Sequence, residues 1–133
     1  MSITYGMNRE IVVEVDGVES SRPGNIIVFL FSEDGFPKKH DRAISMKSRR
    51  ADQSSYRFTF ELPVEEFAIK VLHDEDEDGK VTKNWTGIIP AEGLGFSNGQ
   101  TLGPFGPPSF RKSKLSASEE KTLEKIEVVY PKS

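Results

Sequence analysis

Apolar and polar residues alternate with a period of two along much of this chain, a pattern typical of β-strands. Between residues 10 and 15, two glutamates fall on one side of an extended chain and three β-branched residues fall on the other: Ile11, Val13 and Val15. That segment predicts a first strand with one face in water. Residues 26–31 are apolar at every position, which predicts a central strand covered on both faces.

Four further segments have strand character. Residues 56–60 alternate cleanly and stop before Pro63, and residues 67–72 run directly into an acidic segment. Residues 43–47 predict a short edge strand, and residues 126–130 predict a last strand. The residues expected in the core are Phe58, Phe60, Phe67, Ile69 and Val71.

One short helix is expected near the C-terminal end. Residues 116–119 have the form of a capping box, and the helix is expected to continue through Glu120, Lys121, Leu123 and Lys125. A single short helix does not change the fold class. With about seven strands and no alternation of strand and helix, we expect an all-β fold, an antiparallel Greek-key β-sandwich, as one domain over residues 1–133 with its core between about 9 and 130.

The composition excludes several classes of function for this protein. The 133 residues carry a net charge of −3 with positive and negative residues interspersed, so no basic face predicts binding to nucleic acid. No apolar stretch approaches the roughly 20 residues that span a bilayer, and residues 1–6 lack the features of a signal peptide. Cysteine is absent, which excludes disulfides, thiol catalysis and thiolate zinc sites.

The strongest chemical signal is an acidic segment that follows the predicted strand at residues 67–72. Residues 74–78 are five consecutive acids followed by a glycine. Alternate positions bear aspartate, so a tight loop could direct three carboxylates and one backbone carbonyl at a single cation. Because all these donors are hard oxygens, the predicted ion is Ca²⁺. The predicted ligands are Asp74, Asp76, Asp78 and the backbone carbonyl of Lys80, with Asn84 and Glu92 as further candidates.

This loop differs from an EF-hand. Position 12 is Trp85 where a bidentate glutamate is expected, and the flanking residues predict a strand and a Gly/Pro-rich loop instead of two helices. The alternative is a solvated acidic turn between two strands, in which Lys80 and Lys83 neutralise part of the repulsion among the carboxylates. The sequence leaves both interpretations open.

A second motif lies further along the same loop. Residues 95–99 match the G-x-S-x-G pattern, which would make Ser97 a hydrolase nucleophile. That elbow requires a strand before it and a helix after it, followed by an acid and a histidine. Both histidines, His40 and His73, precede Ser97, and no aspartate follows it. A glycine-rich turn is therefore the favoured interpretation, and a Ser97 hydrolase is the alternative.

The Gly/Pro-rich run is expected to form a long ordered loop up to residue 110. It contains three aromatic residues that form a candidate surface for a protein or carbohydrate partner: Trp85, Phe96 and Phe110. Trp85, the only tryptophan, could equally pack over its own loop.

Three runs of the chain, taken in order, resemble a bacterial family of unknown function called DUF2141. They are residues 73–80, 85–98 and 106–110, which are similar to the family's HDxNxNGxxD loop, its GxPxEGxGFSN segment and its PPSF segment. Two departures bear on the metal site. Asp76 and Asp78 stand where the family commonly has asparagine, and one additional residue precedes Pro90.

The resemblance implies a sandwich similar to transthyretin-like, immunoglobulin-like or carboxypeptidase-regulatory-like domains. It also implies a periplasmic or extracellular location, because members typically carry a secretion signal. It implies no activity. We therefore expect a non-enzymatic binding or structural module of the bacterial cell envelope, stabilised by Ca²⁺ in the acidic loop. The alternatives are the Ser97 hydrolase, a carrier of a small apolar ligand, and a cytoplasmic location.

Overall fold

The structure is a computed structural model that describes residues 9–62, 65–75, 92–103, 106–117 and 121–130. These residues form eight strands, one 3₁₀ turn at His40–Arg42 and one short helix. The strands are β1 (Arg9–Asp16), β2 (Asn25–Phe31), β3 (Ser45–Arg50), β4 (Tyr56–Leu62), β5 (Glu66–Asp74), β6 (Leu94–Phe96), β7 (Leu115–Ser116) and β8 (Lys121–Glu127), and the helix is α1 (Phe110–Ser113).

The strands form two sheets, as the all-β sandwich prediction requires. The three-stranded sheet has the order β4-β1-β8, and the five-stranded sheet has the order β3-β2-β5-β6 with β7 paired to β5. All pairs are antiparallel except β1 with β8, which run parallel. The prediction of an antiparallel sandwich is therefore wrong for this pair. The two strands lie at opposite ends of the sequence. The alternation of apolar and polar residues within a strand does not indicate whether it runs parallel or antiparallel to its partner.

The first core cluster contains residues from both sheets. The inner residues of β1, Ile11, Val13 and Val15, are fully buried against Ile26, Val28 and Leu30 of β2. All five residues that the sequence placed in the core belong to this cluster: Phe58, Phe60, Phe67, Ile69 and Val71.

A second core cluster covers the other face of the five-stranded sheet. It consists of Ile27, Phe29, Phe31, Leu72, Leu94 and Phe96, with Phe36 and Ala43 packed against it. Strand β2 therefore contributes alternate residues to the two clusters, and the prediction of a central strand covered on both faces is confirmed. This second cluster also encloses the outer face of β5, so polar residues on that face lie in an apolar environment.

The prediction of a helix near residue 120 is wrong for those residues of the segment that the structure describes. Lys121, Leu123 and Lys125 belong to β8, which begins at 121 instead of the predicted 126. Pairing with β1 supplies a backbone partner along the whole of β8, and this tertiary pairing outweighs a local capping signal. Ser116 lies in β7, and residues 118–120 lie outside the described residues.

The predicted edge strand is confirmed as β3, which ends the five-stranded sheet and has five exposed residues out of six. On this side of the sandwich, Lys47 donates a hydrogen bond to the Thr59 carbonyl and lies 5.1 Å from the centre of the Phe60 ring. On the other side, Leu94 and Val129 join the two sheets by hydrogen bonds of 3.0 and 2.8 Å. Among the described residues, no helix has the length and apolar character needed to cross a membrane.

Candidate functional site

The candidate site lies where β5 ends and the acidic segment begins. Asp74 is the last residue of β5 and is only 2% exposed. It pairs with Asn25, at the start of β2. The preceding residue, Gly24, has φ of +99°, and a Cβ atom there would lie 2.1 Å from the Asp74 carbonyl oxygen. This close approach requires a glycine, and it fixes the backbone at the first predicted ligand.

The chain returns to the same place at residue 92. Glu92 is 3% exposed, and its Oε2 atom accepts a hydrogen bond of 2.6 Å from the Glu75 backbone N–H. The next residue, Gly93, accepts a hydrogen bond of 2.9 Å from the His73 backbone N–H. Two buried carboxylates, those of Asp74 and Glu92, thus lie at the two ends of the segment formed by residues 76–91.

His73 is fully buried beside this point, and both of its ring nitrogens have partners. Nε2 lies 2.9 Å from the Pro23 carbonyl oxygen, and Nδ1 lies 2.6 Å from the Tyr130 hydroxyl. Because a carbonyl can only accept, Nε2 carries a proton, and Nδ1 shares a hydrogen bond with the Tyr130 hydroxyl. Burial raises the pKa of Tyr130 to about 12. His73 is therefore engaged as a structural residue and leaves no ring nitrogen for a metal.

Arg22 connects the acidic segment to the end of the chain. Its guanidinium lies 3.1 Å from a carboxylate oxygen of Glu75 and 2.6 Å from one of Glu19. The same group lies 4.6 Å from the centre of the Tyr130 ring, a distance at which a cation is attracted by the aromatic face. Arg22 therefore neutralises part of the charge where the acidic segment leaves the sheet.

The structure describes only part of the predicted calcium site. Asp74 and Glu92 lie within the described residues, whereas Asp76, Asp78, Lys80, Asn84 and the aromatic residue Trp85 lie outside them. Within the described residues, no group of three or more histidine or acidic side chains could hold a metal ion. A complete coordination sphere would therefore need oxygen ligands from residues 76–91 in addition to the two buried carboxylates.

Ser97 is held inside the fold by hydrogen bonds to two backbone groups. It is fully buried, and its hydroxyl donates a hydrogen bond of 2.6 Å to the Ser113 carbonyl and accepts one of 2.9 Å from the Ile69 backbone N–H. The next two residues, Asn98 and Gly99, have positive φ values of 62° and 67°, as the glycine-rich turn interpretation requires. Neither histidine is a partner of the Ser97 hydroxyl in these hydrogen bonds.

The predicted aromatic surface does not form as one patch. Phe96 is 3% exposed and belongs to the second core cluster, so its assignment to a surface is wrong. Phe110, the first residue of α1, is half-buried, and its ring lies nearly perpendicular to that of Phe36 with 6.1 Å between the ring centres. Both rings contribute to covering the five-stranded sheet, because that sheet has apolar residues on both faces.

The sequence analysis missed Lys70, a buried lysine in β5. Lys70 is 3% exposed, and its Nζ atom donates a hydrogen bond of 2.9 Å to the Pro37 carbonyl and lies 2.9 Å from His40 Nε2. Burial, with a smaller contribution from Lys38, lowers its pKa to about 8. One signal could have found it. Residues 26–31 predict a strand that is covered on both faces of its sheet. A strand beside it in the same sheet is then covered on both faces too, so a lysine on that strand would be buried.

Comparison with known proteins identifies the family. Residues 13–125 match the sequence profile of a family described as an uncharacterised protein conserved in bacteria, DUF2141. The chain belongs to the DUF2141 family. The matched region of this DUF2141 protein extends from within β1 into β8 and includes the acidic segment with Asp74 and Glu92. No curated protein matches the chain, and no solved structure matches it, so the comparisons assign DUF2141 no activity and give the transthyretin-like description no support.

Proposed function

We propose that this DUF2141 protein is a non-enzymatic binding or structural module of the bacterial cell envelope, and that one Ca²⁺ ion stabilises its acidic segment. The observation that carries the metal part is the burial of two carboxylates, Asp74 and Glu92, at the two ends of residues 76–91. Between them the chain adds Asp76 and Asp78. These residues would bring four carboxylates to one cation.

The chemistry of the donors favours Ca²⁺ over other ions. Ca²⁺ accepts six to eight oxygen ligands in flexible geometry, whereas Mg²⁺ requires a nearly ideal octahedron. The candidate set contains carboxylates, the Asn84 side chain and the Lys80 carbonyl, all of them hard oxygen donors. His73 does not compete, because both of its ring nitrogens are hydrogen-bonded.

The non-enzymatic part rests on the surroundings of Ser97 and of the histidines. The Ser97 hydroxyl hydrogen-bonds two backbone groups and has no contact with solvent, whereas a nucleophile needs a base within hydrogen-bond reach and access to a substrate. The carrier alternative has no comparable support, because aromatic and β-branched side chains of both sheets belong to one buried cluster. The envelope location rests on the family resemblance, and fractionation of cells that express the complete gene product tests it.

The experiment that tests the metal proposal is thermal unfolding of EDTA-stripped protein with and without Ca²⁺. At a free concentration near 100 times the dissociation constant, a ligand adds about 2.7 kcal/mol of stability, which corresponds to an increase in Tm of roughly 10 °C for a domain of this size. Mg²⁺ at the same concentration should give a smaller increase.

The control variants separate a specific site from general charge effects. Asp74→Asn and Glu92→Gln should each remove most of the Ca²⁺-dependent increase in Tm. Glu33→Gln, which changes an exposed acid outside the site, should retain it. Because each variant is compared with itself in EDTA, loss of intrinsic stability does not confuse the result. An absence of any Ca²⁺-dependent increase in the unmodified protein would reduce the acidic segment to a solvated turn.

A further inference from the structure

A hollow of about 420 Å³ opens beside residues 51–55, which connect β3 of the five-stranded sheet to β4 of the three-stranded sheet. Glu14, Asp16 and Arg57 line it from β1 and β4, on the outward face of the three-stranded sheet. Gln53 and Ser55 line it from the connection between β3 and β4. Its volume lies near the lower end of the roughly 300 to 1,000 Å³ found for small-molecule sites. It lies among residues that take no part in the calcium proposal.

Hydrogen bonds hold the wall of this hollow in place. The Tyr56 hydroxyl accepts hydrogen bonds of 2.8 Å from the backbone N–H groups of Asp52 and Gln53, and it donates one of 2.5 Å to the Arg50 carbonyl. The backbone N–H of Val18 donates to the Ser54 carbonyl at 3.1 Å. The turn is therefore fixed to the sheet, and a ligand would meet a preorganised wall instead of a loop that must first be ordered.

The charges that line the hollow are balanced but not all paired. Arg57 forms a salt bridge with Glu14. Arg49 places its guanidinium 5.6 Å from the centre of the Tyr56 ring. Within the described part of the chain, no carboxylate pairs with Arg49 and no cation pairs with Asp16. The hollow thus presents one unpaired cation and one unpaired anion, with neutral polar side chains beside them.

The geometry points to a binding site for a small zwitterion, a free amino acid or a short peptide with charged termini. Its carboxylate would bind the Arg49 guanidinium, whose fork of donors suits a carboxylate, and its ammonium group would bind the Asp16 carboxylate. A ligand with only negative charge would meet Glu14 and Asp16, and a ligand with only positive charge would meet Arg49 and Arg57. A zwitterion satisfies both unpaired groups without breaking the salt bridge between Arg57 and Glu14.

The test is a titration of ¹⁵N-labelled protein with diglycine, followed by two-dimensional NMR. Binding should shift the amide signals of Asp16, Gln53 and Ser55 in a saturable manner. Because the charged groups are exposed to water, we expect a dissociation constant in the millimolar range. N-acetylglycine lacks the ammonium group and glycinamide lacks the carboxylate, so each should bind at least about tenfold more weakly than diglycine.

Variants connect the shifts to the two unpaired groups. Arg49→Gln and Asp16→Asn should each weaken diglycine binding by about tenfold. Arg50→Gln is the matched control, because it removes the same charge from the next position on β3, where the side chain faces the opposite side of the strand. Asp16 is exposed at the end of β1, so its variant remains informative even if the loss of Arg49 loosens the connection between β3 and β4.

Three results would overturn the zwitterion site. The first is an absence of saturable shifts with diglycine. The second is equal binding of diglycine and either of its singly charged analogues, which would indicate a simple ionic effect. The third is unchanged binding in both Arg49→Gln and Asp16→Asn, or an equal loss in Arg50→Gln.

Discussion

At the scale of single residues, Lys70 is buried in a position that disfavours the charged form of its side chain. The strand register places it between Phe29 of β2 and Phe96 of β6, on the face covered by the second core cluster. Its Nζ atom donates to the Pro37 carbonyl and lies 2.9 Å from Nε2 of His40, whose ring stacks on Phe29 at 4.2 Å. Lys70 therefore attaches the segment from residue 36 to 43 to the sheet.

The lowered pKa of Lys70 predicts a pH-dependent stability. Its pKa falls from 10.5 to about 8 in the folded protein, first because of burial and then because of Lys38. Between these values the unfolded chain keeps a proton that the folded protein has released, so stability rises with pH. At roughly 1.4 kcal/mol for each pH unit, the unfolding free energy should gain about 2 kcal/mol from Lys70 between pH 8 and pH 10. Urea unfolding at a series of pH values measures this gain.

Two variants isolate the contribution of Lys70. Lys70→Met should lack the gain, whereas Lys39→Met, which removes an exposed lysine, should keep it. The series should end near pH 10 because the pKa of Tyr130 is raised from 10.0 to about 12. Above pH 10 the Tyr130 hydroxyl loses its proton in the unfolded chain before it does so in the folded protein. The contribution of Tyr130 to the unfolding free energy therefore falls. Parallel pH profiles for Lys70→Met and the unmodified protein would contradict the prediction.

Residue-scale features of the site could be predicted only where one short stretch of sequence contains them. The acidic run and Glu92 are visible in the sequence, and the structure buries both Asp74 and Glu92 where the chain leaves and returns. The turn that follows Ser97 is visible in the sequence too, because Asn98 and Gly99 are residues that favour the positive φ values found there. The hollow could not be predicted, because it combines Asp16 and Arg49 from strands in different sheets.

At the scale of elements, β8 shows why an edge strand can be mistaken for a helix. Two of its residues depart from the usual alternation of a strand, because Leu123 is half-exposed on the outer face and Glu124 lies on the inner side. Glu124 is tolerated there because its carboxylate accepts a hydrogen bond of 2.7 Å from the Asn98 backbone N–H. The apolar period therefore failed as a signal, whereas β1, β2, β4 and β5, with regular apolar faces, were correctly predicted.

The burial pattern of β8 predicts how substitutions in this strand affect stability. Leu123→Thr should change the unfolding free energy by less than about 0.5 kcal/mol, because the side chain is exposed and threonine favours strands. Ile126→Ala should lower it by about 2 to 5 kcal/mol, because Ile126 is 2% exposed and belongs to the first core cluster. Urea unfolding measures both. A large loss in Leu123→Thr with a small one in Ile126→Ala would contradict this strand register.

At the scale of the whole molecule, different side-chain and backbone contacts stabilise the two ends of the sandwich. At one end, His73, Tyr130 and Arg22 connect β5, the end of the chain and the segment that precedes β2. The acidic segment leaves the sheet at this site end. At the far end, the Ile44 backbone N–H donates to the Leu30 carbonyl at 2.7 Å, and Ser97 connects β5 to the end of α1. An ion held by Asp74 and Glu92 would therefore stabilise the first end directly.

Amide hydrogen exchange tests this location. Saturating Ca²⁺ should slow exchange of the His73 and Glu75 backbone amides by about tenfold or more, because those amides donate to Gly93 and Glu92 across the base of the acidic segment. The Ile44 amide at the far end should slow much less. Equal slowing at both ends would place the ion elsewhere or indicate a purely global effect. Glu92→Gln should abolish the difference between the two ends, because it removes one proposed ligand while the paired sheets remain.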